Sequence, residues 1–336
     1  MTSEWAAAVS AGDRRALARA ITLVESTRAD HHREAENLIE ELLPSTGGAL
    51  RIGITGPPGV GKSTFIDAFG SRVVERGHRL AVLAVDPSSS AGRGSILGDK
   101  TRMASLAGRD DVFIRPSPSG GTLGGIGRRT RDAIALCEAA GYDLILVETV
   151  GVGQSETTVA TVTDLFLLLV APGGGDDLQG IKRGVMELAD LVVVNKADGD
   201  LAPLAEQTAG DYRLALHLVR SKHVGIDTPV LTCSSTAGDG VDEVWATLTE
   251  LRGRLEVSGA LARLRAEQAV AQLTDEVGSA LFARATADDR FAARHRDLEL
   301  AVAERRLSVS AAARALIDLV FDGPTPAGQT TRPQPG

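Results

Sequence analysis

Cysteine is scarce in this 336-residue sequence, which has only two, Cys137 and Cys233, far apart in the chain. Two distant cysteines form neither a disulfide framework nor a Cys-x-x-Cys metal or redox site. Scarcity of this kind is typical of a reducing compartment, and we therefore expect the protein in the cytoplasm.

The sequence also has no long hydrophobic run and no sign of a leader peptide. Its longest apolar stretch, residues 165–171, is much shorter than the roughly 20 residues that a membrane-spanning helix needs. Residues 1–5, Met-Thr-Ser-Glu-Trp, lack the basic and then apolar pattern that opens a secretory signal. We expect no membrane among the partners of this protein.

Aromatic residues and excess positive charge are missing as well. Aromatics make up 3% of a chain that is 43% hydrophobic, so Ala, Val and Leu must fill most of the core. The net charge is −8 and the arginines are spread along the chain, so we expect no nucleic-acid partner. The six histidines show no metal-ligand spacing apart from His31-His32, which we interpret as a solvated helix face.

Glycine, by contrast, is abundant, and one glycine-rich stretch is the strongest signal in the chain. A short apolar strand, residues 51–55, precedes a Gly-x4-Gly-Lys-Ser pattern, and a helical run follows it. A glycine loop that opens a helix offers converging backbone N–H groups and the positive helix end to a polyphosphate. Lys62 can then reach the β- and γ-phosphates, and Ser63 can bind Mg²⁺. The pattern predicts a nucleoside triphosphate bound by Gly56, Pro57, Pro58, Gly59, Val60, Gly61, Lys62, Ser63 and Thr64.

Strand-like and helical segments alternate from residue 51 to residue 253. This alternation predicts an α/β fold of the P-loop NTPase type, a doubly wound and mostly parallel sheet with its ligand site at the carboxyl ends of the strands. We expect strands at 51–55, 80–85, 112–115, 143–148, 164–170, 190–195 and 229–233.

Helical patterns flank this region on both sides. We predict an N-terminal helical segment (1–48), a nucleotide-binding domain (49–253), a C-terminal helical arm (254–321) and a Pro-, Thr- and Gly-rich tail (322–336) typical of disorder. The apolar stripe of the arm says only that one face is buried, so the arm either folds back on its own domain or pairs with a second subunit.

A base-reading motif, Asn195-Lys196-Ala197-Asp198, follows the strand predicted at 190–195. The carboxylate of Asp198 can accept from the ring N–H and the exocyclic amine of guanine, whereas adenine offers the wrong edge. Asn195 and the stem of Lys196 can brace the loop and the base. The tetrapeptide alone is a weak signal, but its place at a strand end downstream of the phosphate loop favours guanine.

Small residues follow the next strand, at 233–237. They let backbone N–H groups approach the carbonyl oxygen of guanine, and we expect contacts from Ser234, Ser235 and Thr236. The alternative is an ordinary strand-to-helix loop with a capping hydroxyl.

Two acidic residues stand at neighbouring strand ends and are candidates for catalysis and for binding Mg²⁺ with Ser63. Glu148 opens a Glu-x-x-Gly pattern, in which the N–H of Gly151 would contact the γ-phosphate and the glutamate would act through a water or hold the attacking water. Asp86 ends the strand at 80–85 and is either a Mg²⁺ partner or the group that orients the attacking water. The loop at 88–102 that follows is a candidate switch.

Two further glycine-rich stretches lack the lysine and serine of a phosphate loop. Residues 119–125 predict a mobile connection to a helix at 126–140. Residues 173–180 are either a hinge that moves with the nucleotide state or an ordinary loop.

Four motifs stand in order along the chain: Gly-Pro-Pro-Gly-Val-Gly-Lys-Ser-Thr (56–64), Val-Asp-Pro-Ser-Ser (85–89), Glu-Thr-Val-Gly-Val-Gly-Gln-Ser-Glu (148–156) and Asn-Lys-Ala-Asp (195–198). Taken together, they resemble the MeaB/ArgK family, a group of P-loop GTPases with glutamate in place of aspartate in the third nucleotide motif. The similarity covers nearly the whole chain, including residues 175–182 and the helical arm, and only the tail after about residue 322 looks distinct.

The resemblance implies a GTPase that binds GTP, GDP and Mg²⁺ and serves adenosylcobalamin-dependent methylmalonyl-CoA mutase as a metallochaperone. Such proteins gate cofactor loading and protect or reactivate the mutase as GTP is bound and hydrolysed. The resemblance also implies slow hydrolysis without the mutase and a homodimer formed through the C-terminal helices. Residues 175–187 are similar to a third switch that contacts the mutase, which makes Lys182 and Glu187 candidate relay residues.

Three other functions are alternatives. A nickel-enzyme maturation GTPase usually carries His-rich or Cys-based metal sites, which this sequence lacks. A kinase linked to arginine or ornithine transport would need an acceptor pocket with a general base, and the sequence indicates no separate acceptor domain. A partitioning-type ATPase is disfavoured by the guanine-reading motif at 195–198.

Overall fold

The computed structural model describes residues 2–26, 28–86, 103–118, 123–149, 155–173, 183–219, 222–223 and 225–321. Within these ranges one sheet of seven parallel strands forms the centre, in the order β3-β2-β4-β1-β5-β6-β7. The strands are β1 (Leu50–Thr55), β2 (Leu80–Asp86), β3 (Val112–Pro118), β4 (Leu144–Thr149), β5 (Leu165–Val170), β6 (Leu191–Val194) and β7 (Val230–Thr232). All seven predicted strands are confirmed, with ends that differ by up to three residues, and the predicted P-loop NTPase fold class is confirmed with them.

The helices of the described ranges cover both faces of the sheet. They are α1 (Thr2–Ser10), α2 (Arg14–Val24), α3 (Ala29–Leu42), α4 (Lys62–Glu75), α5 (Leu123–Ala139), α6 (Ser155–Ala160), α7 (Arg183–Leu188), α8 (Ala202–His217), α9 (Val241–Val257), α10 (Ala260–Thr286), α11 (Asp289–Ala303) and α12 (Val309–Phe321). Two short 3-10 helices, Leu43–Ser45 and Gly199–Leu201, precede β1 and α8.

Consecutive apolar residues in the strands are explained by the two covered faces. All six residues of β5 are buried, because alternate side chains pack into different cores. On one face, α4 and α9 pack on the sheet around Phe65, Phe69 and Leu248. On the other face, α1–α3, α5 and α6 form a core around Leu17, and α7 and α8 form another around Tyr212.

Strand order decides which loops meet. β1 lies between β4 and β5, and β6 follows β5, so the loops after β1, β4 and β6 emerge at the same carboxyl edge. This is the edge where a doubly wound sheet binds ligands.

The chain divides into two compact units, residues 1–270 and 271–336. The described part of the second unit consists of the last part of α10 with α11 and α12, and its core includes Phe291, Leu298 and Ala312. Phe282 packs edge-to-face on Phe291, and His295 stacks on Phe291. The finer domain bounds at 48/49 and 253/254 stay a prediction.

No helix in the described ranges combines the length and the apolar character needed to cross a membrane. Several predictions concern segments outside those ranges, namely the switch at 88–102, residues 119–122 of the connection predicted at 119–125, Gly151, Lys182, most of the hinge at 173–180 and the tail at 322–336.

Candidate functional site

The loop between β1 and α4, residues 56–61, depends on glycine at two positions. Gly56 has a φ of 154°, and a Cβ there would lie 2.2 Å from the carbonyl oxygen of Leu169 on β5. Gly61 has a φ of 93°, and a Cβ there would lie 2.9 Å from Nδ2 of Asn195. Any side chain would therefore push the loop away from its neighbours, which explains glycine at these two positions.

Lys62 is the first residue of α4, and its ammonium is folded back over the loop. Nζ donates to the carbonyl oxygens of Gly56 at 2.7 Å and Pro57 at 3.2 Å. The residue is only 8% exposed, and burial lowers the pKa of the ammonium, while the carboxylates of Glu148 and Glu156 act in the opposite direction. A cation is thus held where the loop and the positive end of α4 converge.

Ser63 and Glu148 lie next to each other, although the sequence separates them by 85 residues. Ser63 Oγ is 3.4 Å from Oε1 of Glu148, which is the penultimate residue of β4 and is buried. A hydroxyl and a carboxylate are hard oxygen donors of the kind that Mg²⁺ prefers, so this pair fits the predicted metal. Asp86 ends β2, two strands from β1, but its side chain lies outside the description.

Asn195, directly after β6, ties the base-reading motif to the phosphate loop. Its Nδ2 donates to the carbonyl oxygen of Val60 at 2.9 Å, and its Oδ1 accepts from the backbone N–H and the hydroxyl of Ser235 at 3.1 and 2.7 Å. Lys196 adopts a left-handed conformation, with φ of 60°, and its Nζ donates to the carbonyl oxygen of Gly59 at 2.6 Å. Three sequence motifs therefore meet in one hydrogen-bonded cluster.

Asp198 and Ser234 form a second contact between the motifs. The hydroxyl of Ser234 donates to Oδ1 of Asp198 at 2.8 Å, and the same hydroxyl lies 3.1 Å from Oγ1 of Thr236. Asp198 itself is exposed, so the side chain is oriented by Ser234 while remaining open to a ligand. Guanine presents the two neighbouring N–H donors that such a carboxylate can accept.

The sequence reasoning did not single out two features of the site. Glu156, in the first turn of α6, is buried and acts electrostatically on Lys62. The buried hydroxyls of Thr149 and Thr55, 2.9 Å apart, join the ends of β4 and β1 beneath the loop. In the sequence, Glu156 is marked only as a carboxylate within an otherwise uncharged stretch. Nothing in the sequence marks the threonine pair.

Glu187 lies elsewhere. It is on α7, which ends shortly before the amino end of β6, and it lines a cavity of about 320 Å³ with Arg213, His217 and Thr228. The described residues bring no three His, Cys, Asp or Glu side chains together in a way that could hold a metal ion.

Known proteins share this arrangement in sequence and in fold. A family model described as "Methylmalonyl Co-A mutase-associated GTPase MeaB" matches residues 17–290. A putative GTPase of Caulobacter vibrioides is 60% identical over 258 residues, covering 77% of this chain and 79% of the relative. GTPase ArgK of Escherichia coli is 49% identical over 281 residues, covering 82% of this chain and 85% of that protein.

A solved structure, described as an LAO/AO transport system kinase, has the same overall fold. It superposes with a TM-score of 0.75 at 38% identity, covering 95% of this chain and 97% of the other. The phosphate loop, the base-reading motif and the similarity over most of the chain lead to one assignment: the protein is a GTPase, and it belongs to the MeaB family of methylmalonyl-CoA mutase-associated GTPases.

Proposed function

We propose that this GTPase is a metallochaperone that gates cofactor loading into adenosylcobalamin-dependent methylmalonyl-CoA mutase and protects or reactivates that enzyme. The observation that carries the proposal is the cluster centred on Asn195, which joins the phosphate loop to the base-reading loop in a chain that matches the MeaB family. A nucleotide bound there would contact loops from several strand ends at once. A change in its phosphates would therefore alter the contacts of all these loops.

In this proposal the residues of the site have separate roles. The N–H groups of residues 56–64 and the ammonium of Lys62 bind the phosphates, and Asp198 accepts from the guanine base. Ser63 and Glu148, with Asp86 as a further candidate, would hold Mg²⁺, which neutralises charge on the β- and γ-phosphates. Gly151 would donate its N–H to the γ-phosphate, and Glu148 or Asp86 would orient the attacking water.

The partner is tested by measuring complex formation with methylmalonyl-CoA mutase by isothermal titration calorimetry. We expect the affinity for the mutase to differ between the GDP complex and the complex with a non-hydrolysable GTP analogue. The reason is that the loops at the carboxyl edge would contact the γ-phosphate in only one of the two complexes. Lys62→Ala is the matched control, since without phosphate binding the two nucleotides should give the same affinity. Equal affinities in the unmodified protein would contradict a nucleotide-gated chaperone.

A kinase linked to amino-acid transport is the second candidate, because a solved structure with 38% identity is described as a transport system kinase. The two functions differ in where the γ-phosphoryl group goes. Radiolabelled GTP that yields only inorganic phosphate supports hydrolysis, whereas label on a protein or small-molecule acceptor supports the kinase.

We also propose that the arm pairs with a second copy of the chain. Leu273, Val277 and Leu281 are exposed and spaced four residues apart, so they form one apolar stripe on α10. Val277→Lys should give a monomer in sedimentation velocity, because a charge in this stripe would be buried in the dimer. Asp275→Lys, on another face of the helix, is the control and should leave the dimer intact.

A further inference from the structure

Glu156 is a buried carboxylate at the nucleotide site that has no role in the function proposed above. It lies in the first turn of α6 and is only 8% exposed. An ionised carboxylate is rarely buried unless a positive group compensates it. The position of α6 indicates that the positive group near Glu156 is the ammonium of Lys62.

Gly53, in the middle of β1, lets α6 approach the sheet closely. A Cβ at this position would lie 2.8 Å from Cγ1 of Val159 and 3.0 Å from Oγ1 of Thr163. Both distances are shorter than ordinary contacts between side chains, so only a residue without a side chain fits. Val159 of α6 therefore packs directly on the backbone of β1 at Gly53.

The direction of α6 places Glu156 beside the end of β1 that leads into the phosphate loop. The segment that contains α6 connects the carboxyl end of β4 to the amino end of β5, so it runs opposite to β1, which lies between them. Glu156 precedes Val159 by three residues, a rise of about 4.5 Å and slightly less than one helical turn, and lies on the same helix face. Along β1, which rises about 3.3 Å per residue, the same distance from Gly53 towards the carboxyl end reaches Ile54 and Thr55, just before Gly56.

Gly56 is where the ammonium of Lys62 is held, through its carbonyl oxygen at 2.7 Å. The carboxylate of Glu156 is thus brought to the same end of β1 as the ammonium. Burial lowers the pKa of Lys62 overall, and Glu156, after Glu148, acts in the opposite direction, which agrees with this placement.

We propose that Glu156 is a positioning residue that stabilises the Lys62 ammonium in the nucleotide-free protein and competes with the nucleotide phosphates for it. The inference rests on the proposed function, because it takes phosphate binding at Lys62 as given. An ammonium has three donors, of which the carbonyl oxygens of Gly56 and Pro57 accept two. Phosphates that enter the loop bring negative charge to the end of β1 where Glu156 lies, and like charges repel.

This competition predicts an unusual direction of effect. Neutralising Glu156 removes its attraction to Lys62 from the free protein and its repulsion of the phosphates from the bound protein. Both changes favour the bound state, so nucleotide binding becomes tighter and GDP leaves more slowly. If Glu156 merely supported the fold of the site, its substitution would instead weaken nucleotide binding.

The experiment compares Glu156→Gln, Glu156→Asp and the unmodified protein. Affinities for GDP and a non-hydrolysable GTP analogue come from calorimetry, and GDP release is followed by stopped flow with a fluorescent GDP. We expect Glu156→Gln to bind about tenfold more tightly and to release GDP more slowly. Glu156→Asp keeps the charge and should return both values towards those of the unmodified protein.

Glu75→Gln is the matched control, because it removes the same charge from the exposed last residue of the helix that begins at Lys62. Glu75 lies about 20 Å from Lys62 along α4. At that distance, salt at physiological concentration screens the charge of Glu75 from the nucleotide site. The Glu75→Gln variant should bind GDP as the unmodified protein does.

Two results would overturn the inference: a Glu156→Gln affinity no tighter than that of Glu75→Gln, or an aspartate variant that binds as tightly as the glutamine variant. If the unmodified protein bound neither nucleotide, the proposed function itself would fail instead. The two failures are therefore distinguishable within the same set of titrations.

Discussion

Asn195, at the end of β6, donates a hydrogen bond of 2.9 Å to the carbonyl oxygen of Val60 inside the phosphate loop. Both residues are buried, and the amide oxygen of Asn195 accepts from Ser235 at the same time. One side chain therefore links the loop that we propose binds the phosphates to the loop that we propose binds the base.

Asn195→Ala should weaken both folding and nucleotide binding. The substitution leaves buried hydrogen-bonding groups of Val60 and Ser235 without partners, which costs about 2 kcal/mol of unfolding free energy. Urea denaturation followed by circular dichroism measures this loss, and calorimetry with GDP measures the affinity. Asn37→Ala, an exposed asparagine on α3, is the control and should change neither quantity. Equal behaviour of the two variants would show that the bridge is unimportant.

Asp198→Asn should change the preferred base from guanine to xanthine. The amide no longer accepts from two guanine N–H groups, so GTP binding should weaken roughly 10- to 100-fold, the loss expected for a hydrogen bond to a charged group. Its NH₂ group can instead donate to the additional carbonyl of xanthine, while its oxygen still accepts from Ser234. Competition between GTP and xanthosine triphosphate measures the change, and an unaltered preference would remove the base-reading role of Asp198.

Arg265→Ala should destabilise the first unit strongly. Arg265 pairs with Asp164 through two bonds of 2.7 Å and also donates to the carbonyl oxygen of Ala49. Asp164 is 1% exposed, and a buried carboxylate that loses its partner costs about 3 kcal/mol. Guanidinium chloride unfolding measures the loss.

The matched control is Arg290→Ala, whose partner Asp288 lies on the surface. Solvent screens that exposed pair, so the unfolding midpoint should not move. Similar midpoints for Arg265→Ala and Arg290→Ala would mean that the Asp164 pair does not stabilise the first unit.

Neither cysteine should react while the protein is folded. Burial raises the pKa of Cys137, and it raises the pKa of the Cys233 thiol to about 12. At pH 8, well below these values, both groups are protonated, and the thiolate is the form that alkylating agents attack. Mass spectrometry after iodoacetamide treatment should find two modified cysteines only in denaturant. Rapid modification of the native protein would contradict the burial of Cys137 and Cys233.

The strands could be predicted from sequence because each is a short apolar run that ends in polar or glycine residues. β6 shows the limit of that reasoning, since the prediction of 190–195 included Asp190 and Asn195. Both are buried through hydrogen bonds to β5, Asp190 with the N–H of Phe166 and the N–H of Asn195 with the carbonyl of Val170. The sequence does not show these partners. Without them, a buried polar residue directly beside a strand cannot be distinguished from a residue of the strand itself.

Much of the site followed from local motifs, but its connections did not. Lys62, Ser63, Asn195 and Asp198 stand in patterns whose spacing suggests their chemistry. The contacts of Asn195 with Val60, and of Arg265 with Asp164, join residues more than 100 positions apart. Such pairs depend on the order of strands in the sheet, which the sequence pattern leaves open.

The central claim is that GTP turnover at this site responds to methylmalonyl-CoA mutase, and the steady-state rate of phosphate release from GTP tests it most directly. The rate should be low for the protein alone, rise when the mutase is added, and fall to background in Lys62→Ala with or without the mutase. A rate that is the same with and without the mutase, or normal hydrolysis by Lys62→Ala, would contradict the account.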